Sequence, residues 1–406
     1  MARLLAYTSP ARGHLFPVAP ILAELRARGH DVALRTLASQ VEAMRSYGLD
    51  ARPIDPAIER IEHDDFGTRT PIGAQQRVVR TFCRRAKLDA QDLRSAIADE
   101  RPDVLLVDVA SWGAMAAAEA WGGPWASWCP YPLPLPSRDA PPFGPGLRPA
   151  RGALGRMRDF ALRPLLLGGL ERIVKPRVNE IRERCGVAPV ADAAGLLLSA
   201  PLLLYMTAEP FEYPRSDWPS RVRLVGPCDW EPPAEPPAWL AEVREPIVLV
   251  TTSSEFQDDG RLVRCALQAL ADEPVHVVAT VPSGDPAAFD PPANARVLSF
   301  AAHGPILDRA ACAITHGGMG ATQKALARGV PVCAVPFGRD QFEVARRVQV
   351  ADAGTRLTPR RLSPDRLRAA VREATGCRAG AQRVADGYRR TGGVGSAAQA
   401  VEEMCR

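Results

Sequence analysis

Two histidines carry the chemistry this sequence offers most directly, and each stands where an apolar run gives way to a helical pattern. His14 closes the segment Thr8-Ser9-Pro10-Ala11-Arg12-Gly13-His14. An imidazole near a helix N-terminus feels a positive partial charge of about half a unit, which disfavours its protonated form and suits a general base. A base that takes a proton is served by a carboxylate behind its other ring nitrogen. Asp108, ending Asp103-Val104-Leu105-Leu106-Val107-Asp108, is the candidate. The competing reading is a histidine capping a loop and an aspartate capping a helix near Ser111.

His316 lies in Ala311-Cys312-Ala313-Ile314-Thr315-His316-Gly317-Gly318-Met319-Gly320-Ala321, an apolar run followed by glycines that open a helix. Glycines there let backbone N–H groups approach phosphate oxygens, and the helix dipole favours the anion. A diphosphate is the expected guest, with His316 donating a hydrogen bond or charge; the plainer alternative is a tight turn. Phe300 follows the preceding strand and offers a ring to a nucleobase, while Asp340 and Gln341 follow the next one and offer polar groups to sugar hydroxyls. Neither G-x-x-x-x-G-K-[ST] nor G-x-G-x-x-G occurs, which removes the main support for ATP hydrolysis and for a Rossmann-type dehydrogenase.

The elements that must position these groups alternate between short Val/Ile/Leu-rich runs and helical patterns, the signature of parallel sheets covered by helices. Strands are expected at 3–8, 31–36 and 103–108, then at 247–252, 275–280, 296–300, 312–315 and 332–335, with a first helix over 17–28 and another over 114–120. A chain of 406 residues exceeds one hydrophobic core, and its 46% apolar content fills two. Two doubly wound α/β domains follow: residues 1–210, a proline-rich linker over 211–245, and residues 246–396. Residues 397–406 form a last helix that can cross back to the first domain. A proline-rich stretch over 130–149 and the helical pattern after it, to about Cys185, are expected to shape a pocket or to form a plain surface excursion.

The net charge of +5 is spread and interleaved with acids, which speaks against a nucleic-acid partner. No run of about 20 apolar residues and no leader is present, so no membrane span and a cytoplasmic location are expected. Nine scattered cysteines without a C-x-x-C pair are expected to be reduced and structural. Oligomeric state is not readable, and a homodimer stays open.

Together these residues resemble the nucleotide-sugar-dependent glycosyltransferases of the GT-B fold, two Rossmann-like domains facing across a cleft, in particular the bacterial enzymes that decorate macrolides, enediynes and other natural products. The resemblance spans nearly the whole chain and is most specific from Phe300 to Gln341, including Gly329-Val330-Pro331. It implies that Phe300 and the backbone of Ala301 hold the base, and that His316 with the amides of Gly318 to Ala321, Gly320 among them, holds the diphosphate. It further implies that Asp340 and Gln341 hold the donor sugar, that His14 and Asp108 form the catalytic pair, and that Ser254 contacts phosphate. The reaction implied is inverting transfer to an acceptor hydroxyl.

A hydrophobic acceptor is expected on the first domain, beside Trp112, Trp128, Tyr131 and Phe143, unless these only pack the core. No D-x-D pair occurs, so no metal and no cofactor are expected, the helix dipole and His316 taking the leaving charge. Departures from the family pattern are Ser253, Ala302-His303, Ala321 and above all Lys324, which replaces a common glutamate that binds ribose hydroxyls. A cation cannot accept those bonds, which favours dTDP over UDP. A nucleotide-sugar epimerase and a non-catalytic partner protein share the architecture and stand as alternatives.

Overall fold

The structure is a computed structural model that describes residues 1–64, 71–232, 235–254 and 259–405. Pro233 of the expected linker and Arg406 of the expected last helix lie outside the described residues. The first lobe runs β1 (Arg3–Tyr7), α1 (Arg12–Ala27), β2 (Asp31–Thr36), α2 (Val41–Ser46), β3 (Asp50–Pro53), α3 (Pro56–Glu59), α4 (Pro71–Glu100) and β4 (Val104–Asp108). It continues through α5 (Trp112–Trp121), β5 (Trp125–Cys129), α6 (Gly152–Arg184), α7 (Ala193–Leu197), β6 (Leu202–Tyr205) and β7 (Val222–Leu224). The second lobe runs β8 (Ile247–Thr251), α8 (Gly260–Leu270), β9 (His276–Thr280), β10 (Ala295–Leu298), α9 (His303–Leu307), β11 (Ala310–Thr315), α10 (Met319–Ala327) and β12 (Val332–Ala334). It ends with α11 (Gln341–Val350), β13 (Gly354–Arg356), α12 (Pro364–Thr375), α13 (Arg378–Arg390) and α14 (Gly393–Glu402).

All strand pairings are parallel, in the orders β3-β2-β1-β4-β5-β6-β7 and β10-β9-β8-β11-β12-β13. Alternate residues of each central strand feed two cores, one per face, because side chains on a strand alternate sides. In β1, Leu5 and Tyr7 join one cluster while Leu4 and Ala6 join the other. In β8, Ile247 and Leu249 face one core and Val248 and Val250 the other. The strand order reverses between β1 and β4 and again between β8 and β11, and such switch points open a crevice at the carboxyl ends of the strands.

Several boundaries differ from expectation for physical reasons. The first helix begins at Arg12, with Pro17 and Pro20 inside it, so Pro17 is an interior residue of the early turns and not the start. Residues 222–224, inside the expected linker, form the edge strand β7. Strands β3, β5 and β6 were not legible because their runs are short or polar, as in Asp50-Ala51-Arg52-Pro53. The last helix starts at Gly393 and packs Ala397, Ala398 and Val401 into the first lobe's core beside α1. Glu402 accepts from Arg28 at 2.8 Å and pairs with His30 at 3.0 Å, fixing that return crossing.

The lobes meet through a buried charge cluster under the cleft. Arg347 of α11, 2% exposed, lies 2.9 Å from Glu212 of the first lobe and 3.0 Å from Glu343. Its guanidinium also stacks over Tyr213, 4.4 Å from the ring centroid. Burial alone raises the Glu212 carboxyl, but Arg347, Arg215 and the Tyr205 hydroxyl outweigh it and hold the group below its ordinary range. Removing the cation strands two buried carboxylates. Arg347→Met is therefore expected to destabilise the protein by about 3–5 kcal/mol, read as a large fall in melting temperature; an unchanged melting temperature would contradict this account.

Candidate functional site

α1 delivers His14 in its first turn, with the backbone N–H of His14 bonded to Ala11 O at 3.0 Å. The register Leu4↔Val104 through Tyr7↔Val107 sets Asp108 beside the β1–α1 turn, at the first switch point. His14 Nδ1 meets Asp108 Oδ1 at 2.8 Å. Asp108 is fully buried, and its other bonds come from Ala110 N at 3.0 Å, Ser9 N at 3.0 Å and Ser9 Oγ at 2.6 Å. Burial raises the Asp108 carboxyl; the His14 charge, its hydrogen bond and the bonds from Ser9 and Ala110 more than offset this, so the group stays ionised well into acid. A carboxylate fixed at both oxygens fixes the imidazole tautomer, with Nδ1 donating and Nε2 carrying the lone pair.

In the second lobe, the register Thr315↔Thr251 brings His316 to the mouth of the second switch point. His316 is 7% exposed, and its Nε2 lies toward Gly318 at the start of α10, the face a ligand there would meet. Burial lowers its pKa to about 4, against the bond to the Thr251 backbone and with the charge of Arg339 adding to the fall, so it offers a hydrogen bond but no charge before a ligand binds. Gly317 adopts φ +85, which favours glycine, and a Cβ on Gly318 would lie 2.4 Å from His316 Nε2. Gly320 faces open space at the start of α10, beside Ala321. Ser254 is exposed on the neighbouring turn after β8.

Phe300 is 53% exposed, an unusual cost for a large ring, while Ala301 is buried beneath it. Asp340 caps α11 and is partly buried. Burial raises its carboxyl, and a backbone hydrogen bond and the charges of Arg339 and His14 pull back against that rise. Gln341 is 2% exposed, and its side-chain oxygen accepts from Phe337 N at 2.7 Å and Gly338 N at 3.1 Å; this oxygen shapes the loop that presents Asp340.

The aromatic residues divide. Tyr131 packs on His14 with ring centroids 5.6 Å apart. Burial raises its phenol well above the ordinary value, and the charges of Cys129, Asp108 and Asp340 add to that, so it stands neutral between the two lobes' carboxylates. Trp112, beside Asp108, stacks on Phe82 at 5.0 Å, and Phe82 meets His63 at 5.5 Å, an aromatic row whose last two members the sequence did not single out. Phe143 is partly buried on a loop clamped by Glu343, which accepts from Gly144 N at 2.8 Å and Gly146 N at 2.9 Å. Trp128 is a correction: it is wholly buried, and its Nε1 donates to His14 O at 3.1 Å, so it supports the base from below and lines no acceptor surface.

Lys324 is not directed at a ribose alone: its Nζ lies 3.0 Å from both Asp229 Oδ1 and Glu231 Oε2. Among the described residues no metal-binding cluster is present, no helix is long and apolar enough to cross a membrane, and all nine cysteines are unpaired. His303, bonded through Nε2 to Thr280 Oγ1 at 3.0 Å, is also lowered to about 4, chiefly by burial and then by Lys324. Both histidines are lowered from 6.5, so the unfolded chain binds their protons first; the stability they contribute is present above pH 6.5 and is lost as pH falls toward 4. The unfolding free-energy gap between wild type and His303→Asn, measured by denaturant titration, is therefore expected to narrow from pH 7 to pH 5 by roughly 1–2 kcal/mol; a constant gap would contradict the assignment.

Residues 264–402 match the family described as Erythromycin biosynthesis protein CIII-like, C-terminal domain. The chain is 35% identical over 387 residues to 4'-demethylrebeccamycin synthase of Lentzea aerocolonigenes, covering 91% of each. It is 27% identical to demethyllactenocin mycarosyltransferase of Streptomyces fradiae, over 100% of this chain and 87% of that one. The solved glycotransferase of kitacinnamycin superposes with a TM-score of 0.73 at 25% identity, covering 99% of this chain and 98% of that one. The calicheamicin glycosyltransferase CalG4 shares the fold, with a TM-score of 0.72 at 21% identity over 100% and 98% of the two chains. The chain belongs to the natural-product glycosyltransferases of the GT-B fold.

Proposed function

We propose that this enzyme moves a sugar from a nucleoside diphosphate, dTDP or UDP, to a hydroxyl of a large apolar acceptor of the polyketide, macrolide or enediyne kind. Transfer is a single displacement with inversion and needs no metal. The observation that carries this reading is the 2.8 Å pairing of His14 Nδ1 with the fully buried Asp108 at the first switch point.

His14 Nε2 takes the acceptor's hydroxyl proton as the oxygen attacks the anomeric carbon, and the bond from that carbon to the diphosphate breaks. The imidazolium formed faces a carboxylate held at both oxygens, which stabilises it. The departing diphosphate gains negative charge beside the start of α10, where the backbone N–H groups, the helix dipole and the Nε2 side of His316 are placed to receive it. Ser254 adds a hydroxyl, Phe300 and Ala301 take the base, and Asp340 accepts from sugar hydroxyls while Gln341 sets its loop.

Tyr131 against the base, with the partly buried pair Phe82 and His63, supports an apolar acceptor in the first lobe, while Trp112 packs the core behind Phe82; a second-substrate site favours transfer over epimerisation. Phe143 stands partly buried on the loop that Glu343 clamps. In a screen with nucleotide-sugar donors, large aromatic or macrocyclic alcohols are expected to be glycosylated and small sugars not; the reverse preference would defeat the acceptor assignment. His14→Ala is expected to lower kcat by about 10²- to 10⁴-fold with donor binding retained, as removal of a general base does. Loss of turnover in EDTA that Mg²⁺ restores would refute the metal-free reading.

A further inference from the structure

Three consecutive residues, Asp229-Trp230-Glu231, grip both lobes at once. Trp230 is 7% exposed and packs on Phe16 at 4.9 Å and Tyr47 at 5.4 Å, so it is seated in the first lobe against the helix that carries His14. Its two neighbours hold the second lobe. Asp229 and Glu231 share Lys324, each at 3.0 Å, and Asp229 lies 3.3 Å from Arg328. Glu231 also accepts the backbone N–H of His303 at 2.9 Å and of Gly304 at 2.8 Å.

These partners are the two walls of the donor site. His303 and Gly304 open α9 directly after Phe300-Ala301-Ala302, the stretch assigned to the nucleobase. Lys324 lies on α10, whose first turn is assigned to the diphosphate. One carboxylate therefore joins the base loop to the phosphate helix, and Trp230 joins both to α1. The fit is close: a Cβ on residue 304 would come within 2.8 Å of Glu231 Oε1, so glycine there lets the carboxylate approach. Burial raises the Glu231 carboxyl, but Lys324 and the N–H bonds outweigh that and keep it ionised below its ordinary range.

We propose that Glu231 is a positioning residue for the donor nucleotide, held in place by Lys324. The proposal rests on the donor-site reading given above. It also accounts for a cation at 324: its charge neutralises carboxylates supplied by the linker. Without Glu231 the loop at 300–304 loses the acceptor for two N–H groups, and the relation of base site to phosphate site is no longer fixed from one point.

The test is calorimetric titration of the full chain with UDP and with dTDP, alongside steady-state kinetics. Glu231→Ala is expected to weaken binding of the preferred diphosphate about tenfold, and Lys324→Met, which frees the carboxylate but keeps its N–H bonds, about threefold, with kcat at saturating donor changed less than about threefold and acceptor KM unchanged. Glu231→Gln retains an acceptor oxygen, loses the ion pair, and should fall between them. This variant and Lys324→Met keep the test decisive if Glu231→Ala does not fold. Equal affinity in wild type and variants would overturn the positioning role while leaving the donor site intact. A fall in kcat and in acceptor affinity matching the fall in donor affinity would also overturn it, marking a general structural tie. Failure of the wild type to bind either diphosphate would bring down the donor-site reading and this inference together.

Discussion

A buried arginine determines how the two halves of this enzyme meet. Arg347 points from α11 into a pocket between Glu212 and Glu343, where no water competes for its charge. Buried ion pairs contribute little net stability, because desolvation consumes most of the attraction, but they tolerate little change in geometry. Glu343 passes that constraint on by holding the loop at Gly144 and Gly146, and the turn ahead of α11 presents Asp340. The same helix thus fixes a first-lobe loop and a second-lobe carboxylate, and the cleft between them inherits its shape.

Each lobe then supplies one edge of one parallel sheet. The strand order reverses once in each, so each offers one crevice, and the chemistry-bearing residues occupy both. In the first, a carboxylate saturated by four bonds orients an imidazole. In the second, a neutral histidine stands beside the opening turn of a helix that no side chain caps. The first crevice is held by four hydrogen bonds to one carboxylate, whereas the second opens on the uncapped start of α10. This asymmetry suits a reaction in which the base must hold its tautomer before the substrates arrive, while the anion site gains most when negative charge develops.

Much of the fold was legible in the sequence. Hydrophobic period alone separated the central strands, because β1, β4, β8 and β11 are buried on both faces and read as continuous apolar runs. Edge strands such as β3 and β7 were not legible, since a strand with one neighbour keeps polar residues and prolines. His14, Asp108 and His316 could be singled out because strand ends, glycines and helix starts are local features.

What only the tertiary structure decided concerns residues distant in sequence. Trp128 and Trp112 are both tryptophans next to the same sheet edge, yet they feed opposite cores: Trp128 points from β5 to the face that α1 covers, whereas Trp112 opens α5 on the other face and meets Phe82. Lys324 looked like a missing ribose contact until the linker brought Asp229 and Glu231 to it across about 90 residues of chain, a separation at which no local pattern carries information. The sequence determined which groups stand at strand ends, through period and glycine placement. Which of those groups face each other depended on how two cores pack, and packing is set by the shape and charge of residues far apart in the chain.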